Sequence, residues 1–148
     1  LWITRRYHRH GYAAVSFGAP VSLNTFQAEH TNASVKELGR LLMRRIGQEV
    51  PVLPVPAVAH VLMTHDGPIP QEQLTQAVQT LLQGVPEAHV HMPREDADYM
   101  VEVGLRNLRK RGILQETSSG IAISEEYRAL VSYYARSIAH LVQVPAHA

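Results

Sequence analysis

The stretch Asp96–Glu126, DADYMVEVGLRNLRKRGILQETSSGIAISEE, decides the fold of this chain of 148 residues. Its first half places apolar residues at helical spacing and charged residues on the opposite face, so it predicts an amphipathic helix. Gly112 follows the last periodic residue, and basic side chains fill the final turn, as is typical of a helix C-terminus. The apolar positions are Ala97, Val101, Gly104, Leu105 and Leu108.

The second half of the stretch predicts a short hairpin. Ile113–Thr117 and Ile121–Ile123 read as two strands joined by a loop at Ser118-Ser119-Gly120. Ser124 is expected to cap the next helix, with Glu125 and Glu126 in its first turn. Helix, hairpin and helix in this order are the outline of a winged helix.

Helices are also predicted on both sides of this unit. Val35–Ile46 is expected to end at Gly47, and a helix with Gln71–Leu82 to end at Gly84. Between them, prolines 51, 54 and 56 predict a stiff connector, with Pro56 opening a short helix whose apolar face is Ala57, Val58, Val61 and Leu62. A last helix carries apolar residues from Tyr127 to Val142 and stops at Pro145. The predicted fold class is mainly α with a small β component.

The N-terminal part of the sequence predicts extended structure instead of helices. Tyr12–Phe17 predicts a strand, Gly18-Ala19-Pro20 a turn and Val21–Leu23 an extended continuation, with a polar loop over Asn24–Ser34. A lone strand is not stable, so we expect its sheet partners to lie outside this chain. Because the chain opens at Leu1 rather than methionine, a truncated reading frame or a processed fragment is expected.

Composition excludes some functions. The formal net charge is +1 and charged residues make up 18%, so the charge of the whole chain does not favour nucleic acid or an anionic membrane. The absence of cysteine excludes disulfides and thiolate metal sites. The longest apolar run, Val50–Met63, is interrupted by prolines and is too short to span a bilayer.

Several stretches resemble one family, the bacterial membrane-bound glycerol-3-phosphate acyltransferases and their dihydroxyacetone-phosphate relatives. The most specific are the Phe-Gly-x-Pro segment and the Tyr-Tyr…Ser-Ile-Ala-His segment, and the order and approximate spacing agree over nearly the whole chain. The stretches that carry the resemblance are Gly11–Leu23, Leu41–Ile46, Pro54–Ala59, Gln71–Leu74 and Tyr133–Leu141.

The resemblance implies that residues 1–26 are the terminal strand segment of an α/β acyltransferase domain and that residues 27–148 are a helical, winged-helix-like region. It implies acyl transfer from acyl-CoA or acyl-carrier protein to the sn-1 hydroxyl of glycerol 3-phosphate, with no cofactor, for phospholipid biosynthesis. Both substrates would bind through the missing domain. The parent protein would contact membrane lipids at the cytoplasmic face of the inner membrane. This region would brace the acyltransferase domain and be inactive alone.

Such enzymes use a His-x-x-x-x-Asp motif as a supported general base. His91 and Asp96 have that spacing, but they follow the Phe-Gly-x-Pro segment, whereas the family motif precedes it. Asp96 is better read as a helix N-cap, so no catalytic residue is predicted and the substrate-binding residues stay unknown.

The other histidines and the tyrosine pair predict no site either. The pairs His8/His10 and His89/His91 lack a credible third ligand, so no metal site is predicted. His60 and His140 are expected to be hydrogen-bonded at the edge of the core. Tyr133 and Tyr134 are expected to fill the core and its edge, with a lipid-facing pair as the alternative.

Other functions stay open at this point. A winged-helix DNA-binding or protein-interaction module would use basic residues near the end of the third helix, although no nucleic acid is expected because acids lie among them. A dimerisation module would use Tyr127–Val142 as its seam. The basic residues Lys36, Arg40, Arg44 and Arg45 read as a solvated face or as a phosphate- or lipid-facing patch. The residues at issue for DNA are the cations Arg106, Arg109, Lys110 and Arg111 and the acids Asp98, Glu102 and Glu116.

Overall fold

A computed structural model describes residues 14–30, 34–85, 90 and 96–142. The described part is mainly helical and contains one two-stranded antiparallel sheet, which confirms the predicted fold class. The helices are α1 (Leu23–Glu29), α2 (Val35–Gln48), α3 (Pro54–Thr64), α4 (Gln71–Gln83), α5 (Ala97–Lys110), α6 (Arg128–Arg136) and α7 (Ala139–Val142). The strands are β1 (Leu114–Thr117) and β2 (Gly120–Ile123).

Helix α3 lies at the centre of the core. It is apolar on most of its surface and packs against α4, α5 and α6. Pro54 is the first residue of the helix, where a missing backbone N–H costs nothing, so the helix begins earlier than the predicted Pro56. The buried residues of α3 are Pro54, Ala57, Val58, Ala59, Val61 and Leu62.

Helix α5 approaches α3 closely because Gly104 has no side chain. A Cβ built at Gly104 would lie 2.6 Å from Cγ2 of Val58 and 2.7 Å from the carbonyl oxygen of Pro54. The glycine was predicted on the apolar face of this helix, and the structure shows that it is the point of contact between the two backbones.

The hairpin forms as predicted and is tied to the helices by a third segment. Thr117 pairs with Gly120, so Ser118 and Ser119 form the turn. Ile69, between α3 and α4, exchanges two backbone hydrogen bonds with Ile121 of β2, at 2.9 and 2.8 Å. A helix, the bridging residue Ile69, two further helices and a hairpin, in this order, give α3–β2 the winged-helix-like architecture.

The predicted N-terminal strand is not present in the described residues. Residues 14–22 form no strand there, and Leu23, predicted as extended, begins α1. The side chain of Ser22 accepts a hydrogen bond from the N–H of Thr25 and caps this helix. The loop predicted over Asn24–Ser34 was therefore wrong for Asn24–Glu29, whereas residues 12–13 and 31–33 lie outside the described part.

Two helix ends also differ from the prediction. Gly47 lies inside α2 rather than after it, and Glu49 is the C-cap. The C-terminal helix is divided into a 3₁₀ turn at Glu125–Tyr127, α6 and α7. Ser124 precedes that turn, but its side chain makes no capping bond, because it is buried where its N–H donates to the carbonyl of Ile113.

Candidate functional site

The face that a winged helix would present to DNA is neutralised by its own acids. Nε of Arg109 donates to Oε1 of Glu116 on β1 at 2.8 Å, and Arg106 lies 3.6 Å from Glu102. The guanidinium of Arg111 donates to the hydroxyl of Tyr134. Phosphate contacts in nucleic-acid complexes come from cations that are free to replace counterions. Three of the four predicted cations are instead engaged within the chain.

The predicted role of Asp96 as a helix cap is confirmed. Its Oδ1 accepts a hydrogen bond from the N–H of Asp98 at 2.9 Å, at the N-terminus of α5. His91, its partner in the spurious motif, lies outside the described residues, as do His8, His10 and His89. Within the described ranges, no group of three or more histidines and carboxylates could hold a metal ion.

Both histidines predicted at the edge of the core are hydrogen-bonded, but only His60 lies at that edge, whereas His140 is exposed. His60 is half-buried, and burial lowers its pKa below the usual value, with a backbone hydrogen bond to Ala135 opposing that shift. Nε2 of His140 lies 2.7 Å from the carbonyl oxygen of Gly47. Because a carbonyl only accepts, His140 donates this bond and connects α7 to the end of α2.

The stripe proposed as a dimerisation seam lies inside the chain's own core. Val131, Ala135, Ile138 and Leu141 are all buried there. Tyr134 is half-buried against this core, as predicted, but Tyr133 is 72% exposed, so its predicted core position was wrong.

The surface that remains without cover in the described part is one face of α2. No residue of this helix of 14 residues is buried, although its sequence is strongly amphipathic. Val35 is 87% exposed, Met43 67% and Ile46 59%, and Leu42 is also exposed. Leu38 and Leu41 are half-buried on the adjacent side, and α2 also contacts α7. Helix α2 therefore contacts α7 near its C-terminal end, with its most apolar face open.

The charges of α2 lie beside this open face. Lys36, Arg40 and Arg44 follow one another at intervals of four and form a row along the helix. None of them forms an ion pair within 4 Å with another residue that the structure describes. The acid Glu37 is occupied at the helix start, where its carboxylate accepts from the N–H of Ser34 at 2.6 Å, which lowers its pKa.

A second open apolar surface precedes α1. In the segment that runs from Ala14 to Phe17, Val15 and Phe17 are exposed, whereas the two alternate residues are half-buried. A Cβ at Gly18 would lie 2.8 Å from the carboxylate of Glu49, so the segment passes the C-terminal end of α2. This alternation is the pattern of a strand, although residues 14–17 belong to no strand of the described part.

The described part of the chain holds no helix that is long and apolar enough to cross a membrane. Its fold and surfaces define a winged-helix-like region that offers open apolar faces and, among the described residues, no catalytic constellation. Comparison with known proteins assigns it to a family. The family described as "Glycerol-3-phosphate acyltransferase C-terminal region" matches residues 1–148, and the chain belongs to that family.

One similar protein is the "Glycerol-3-phosphate acyltransferase" of Aeromonas hydrophila subsp. hydrophila, which is 28% identical over 168 residues. The match covers 98% of this chain and 21% of that relative, so the chain spans about a fifth of the relative's length. No solved structure gives a significant match.

Sequence reasoning found the cations of α2 but missed the more informative feature, which is the exposure of its apolar face. The pattern of Val35, Leu42, Met43 and Ile46 is the same whether a helix packs on its own domain or remains open. The sequence holds no signal that separates the two cases, because a period shows which residues share a face and not what covers that face.

Proposed function

We propose that this chain is the non-catalytic C-terminal region of an enzyme that transfers an acyl group from acyl-CoA or acyl-carrier protein to the sn-1 hydroxyl of glycerol 3-phosphate. The match of the family to all 148 residues supports the assignment. The name of the Aeromonas relative supports the acyltransferase activity, and the four-fifths of that relative without a counterpart here leave room for the domain that performs it. The parent enzyme would be peripheral to the cytoplasmic face of the inner membrane.

The role proposed for this region is to brace the acyltransferase domain. The observation that carries it is the segment Ala14–Phe17, which lies outside regular secondary structure and in which Phe17 is 91% exposed and Val15 77%. Exposed apolar residues that alternate along an extended backbone suit the edge of a sheet supplied by another domain. Gly18 links this segment to Glu49 at the end of α2, so strand pairing would also fix the position of α2.

An acyl-transfer assay tests both parts of the proposal. The chain 1–148 is expected to form no lysophosphatidic acid from acyl-CoA and glycerol 3-phosphate, whereas the full-length protein forms it. Turnover by the chain alone, lost in His91→Ala, would contradict a non-catalytic role.

The bracing role is tested in the full-length protein with Val15→Asp and Phe17→Asp together. These changes are expected to abolish acyl transfer, because a carboxylate cannot be buried unpaired at a domain contact. Tyr133→Asp is the control, since Tyr133 is also an exposed aromatic residue but lies on α6. Full activity of the double variant would refute the bracing role.

A further inference from the structure

Helix α2 combines two properties that one kind of partner satisfies together. Its apolar stripe, defined by Val35, Leu42, Met43 and Ile46, is exposed, and three of its four basic residues flank it. At 100° per residue, Lys36 and Arg40 lie to one side of the stripe and Arg45 lies to the other. The fourth, Arg44, lies on the far side of the helix, about 160° from the centre of the stripe. The stripe is therefore flanked by cations on both sides.

The positive charge is concentrated on this helix. Its sequence, VKELGRLLMRRIGQ, contains four basic residues and one acid. The whole chain has 14 lysines and arginines against 13 acids. Helix α2 thus carries a formal charge of +3 in a chain of net charge +1, so the remainder is net acidic. Glu37 is held in the capping box with Ser34 and also attracts Arg40, so this one acid offsets only part of the positive charge of the helix.

The dimensions of the stripe favour a lipid surface over a protein. A helix of this length is about 21 Å long, and a stripe about 10 Å wide offers roughly 200 Å². A stable protein interface buries about 800 Å² on each partner. An amphipathic helix with a basic polar face needs no such area at a bilayer, because insertion of the apolar side chains and attraction to anionic headgroups act together.

We propose that α2 lies in the plane of an anionic membrane surface, with the apolar stripe among the acyl chains and the flanking cations at lipid phosphates. The inference rests on the proposed membrane location of the parent enzyme and adds the element that makes the contact and the charge of the lipid. The attachment of α2 to α7, through the bond from His140 to Gly47, leaves the stripe free to insert while the core stays folded.

The test is co-sedimentation of the chain 1–148 with vesicles. Vesicles of phosphatidylethanolamine and phosphatidylglycerol are expected to bind it, and vesicles of phosphatidylcholine alone are expected to bind it much more weakly. Soluble phosphate at the same total concentration is not expected to compete, which separates a lipid surface from a free phosphate ligand. Circular dichroism melting of every variant checks that the core is folded.

Two pairs of variants test the two properties of α2. Met43→Gln with Ile46→Gln should weaken binding roughly 30-fold or more, from the lost apolar burial. Arg40→Gln with Arg45→Gln, one cation from each side of the stripe, should weaken it roughly 25-fold, at about fivefold for each cation near an anionic surface. Lys110→Gln is the matched charge control at the end of α5 and should change binding by less than about twofold.

Gly39 distinguishes a bilayer from a protein partner. It lies on the open side of α2, and a Cβ there would have no atom within 4 Å. Gly39→Leu should strengthen binding to anionic vesicles roughly tenfold, because it adds apolar area to the inserted face. A protein packed closely against Gly39 would be displaced by the same change.

Absence of binding to anionic vesicles, equal losses in Lys110→Gln and the arginine variants, or weaker binding by Gly39→Leu would each overturn the proposal. These outcomes are separable from failure of the proposed function. If the vesicles bind nothing while the full-length protein still makes lysophosphatidic acid, only the role of α2 fails. If α2 binds vesicles and the full-length protein transfers no acyl group, the acyltransferase assignment fails instead.

Discussion

Replacing Gly104 by alanine should destabilise the protein, although alanine is the better helix former. Gly104 lies in the interior of α5, where its backbone is helical, so alanine would by itself gain about 1 kcal/mol of stability. The added methyl would, however, lie 2.6 Å from Cγ2 of Val58 and 2.7 Å from the carbonyl oxygen of Pro54. Val58 is fully buried, and a backbone carbonyl cannot rotate away, so α3 and α5 must separate.

The expected net effect follows from the difference between these two contributions. Overpacking a close-packed core costs about 1–3 kcal/mol, and contact with backbone at the first turn of α3 places Gly104→Ala at the upper end. Subtracting the gain in helix propensity leaves a loss of about 1–2 kcal/mol in the free energy of unfolding. The midpoint of thermal unfolding should then fall by about 2–8 °C.

Gly39→Ala is the matched control, because Gly39 is also in a helix interior and has open space where the methyl would lie. It should keep the gain in propensity, increasing the helical signal of α2 without lowering the midpoint. Urea and thermal unfolding followed by circular dichroism measure both variants. A Gly104→Ala protein as stable as the original chain would refute the close approach of α3 and α5.

Three further outcomes are expected. Asp96→Ala should lower the free energy of unfolding, measured by urea titration, by about 1 kcal/mol, whereas Asp96→Asn should change it little. If Asp96 is only a helix cap, neither change should reduce acyl transfer by the full-length protein. Glu116→Gln should lower the free energy of unfolding by less than about 1 kcal/mol in the same titration, because the ion pair between Glu116 and Arg109 is exposed. A larger loss would mean that this ion pair stabilises the fold more than exposed ion pairs usually do. Burial lowers the folded pKa of His60 below its ordinary value of 6.5. The contribution of His60 to stability is therefore present above pH 6.5 and is lost as the pH falls from 6.5 through the folded pKa. His60→Gln should flatten the thermal midpoint between neutral and mildly acidic pH, and an unchanged pH profile would contradict the burial of His60.

The parts of the fold that could be predicted are those in which local chemistry and packing favour the same structure. Asp96, the apolar period of α5 and Gly112, with its φ of +68°, define a helix and its end without reference to any other element. The hairpin followed because a glycine-containing turn separates two apolar runs. The bridge between Ile69 and Ile121 could not be predicted, since it joins residues far apart in sequence and involves one residue from each side.

The prediction of a strand in the N-terminal segment failed for a different reason. The alternation over Tyr12–Phe17 predicts a strand, but a strand exists only when a neighbouring strand supplies ladder hydrogen bonds. Residues 14–17 belong to no strand of the described part, although their exposed and half-buried residues alternate. The same dependence on a partner limits what can be predicted about the open face of α2. A sequence period shows that a helix face is apolar, but it does not show what covers that face.

The charge pairs of α5 explain why a winged-helix-like fold here favours a function away from its usual nucleic-acid face. That face requires cations that exchange counterions for phosphates, yet Arg106 and Arg109 already face Glu102 and Glu116. If these arginines bound DNA phosphates instead, the carboxylates of Glu102 and Glu116 would remain close to the phosphates. The two negative charges would repel each other, and salt would weaken this repulsion without removing it. The cations of α2 form no ion pair within 4 Å with another described residue, although the charge of Arg40 acts on Glu37. Three of them, Lys36, Arg40 and Arg45, flank exposed apolar side chains. Charge and apolar area therefore coincide on α2 and on no face of α5, and this coincidence makes α2 the element to test for contact with a membrane.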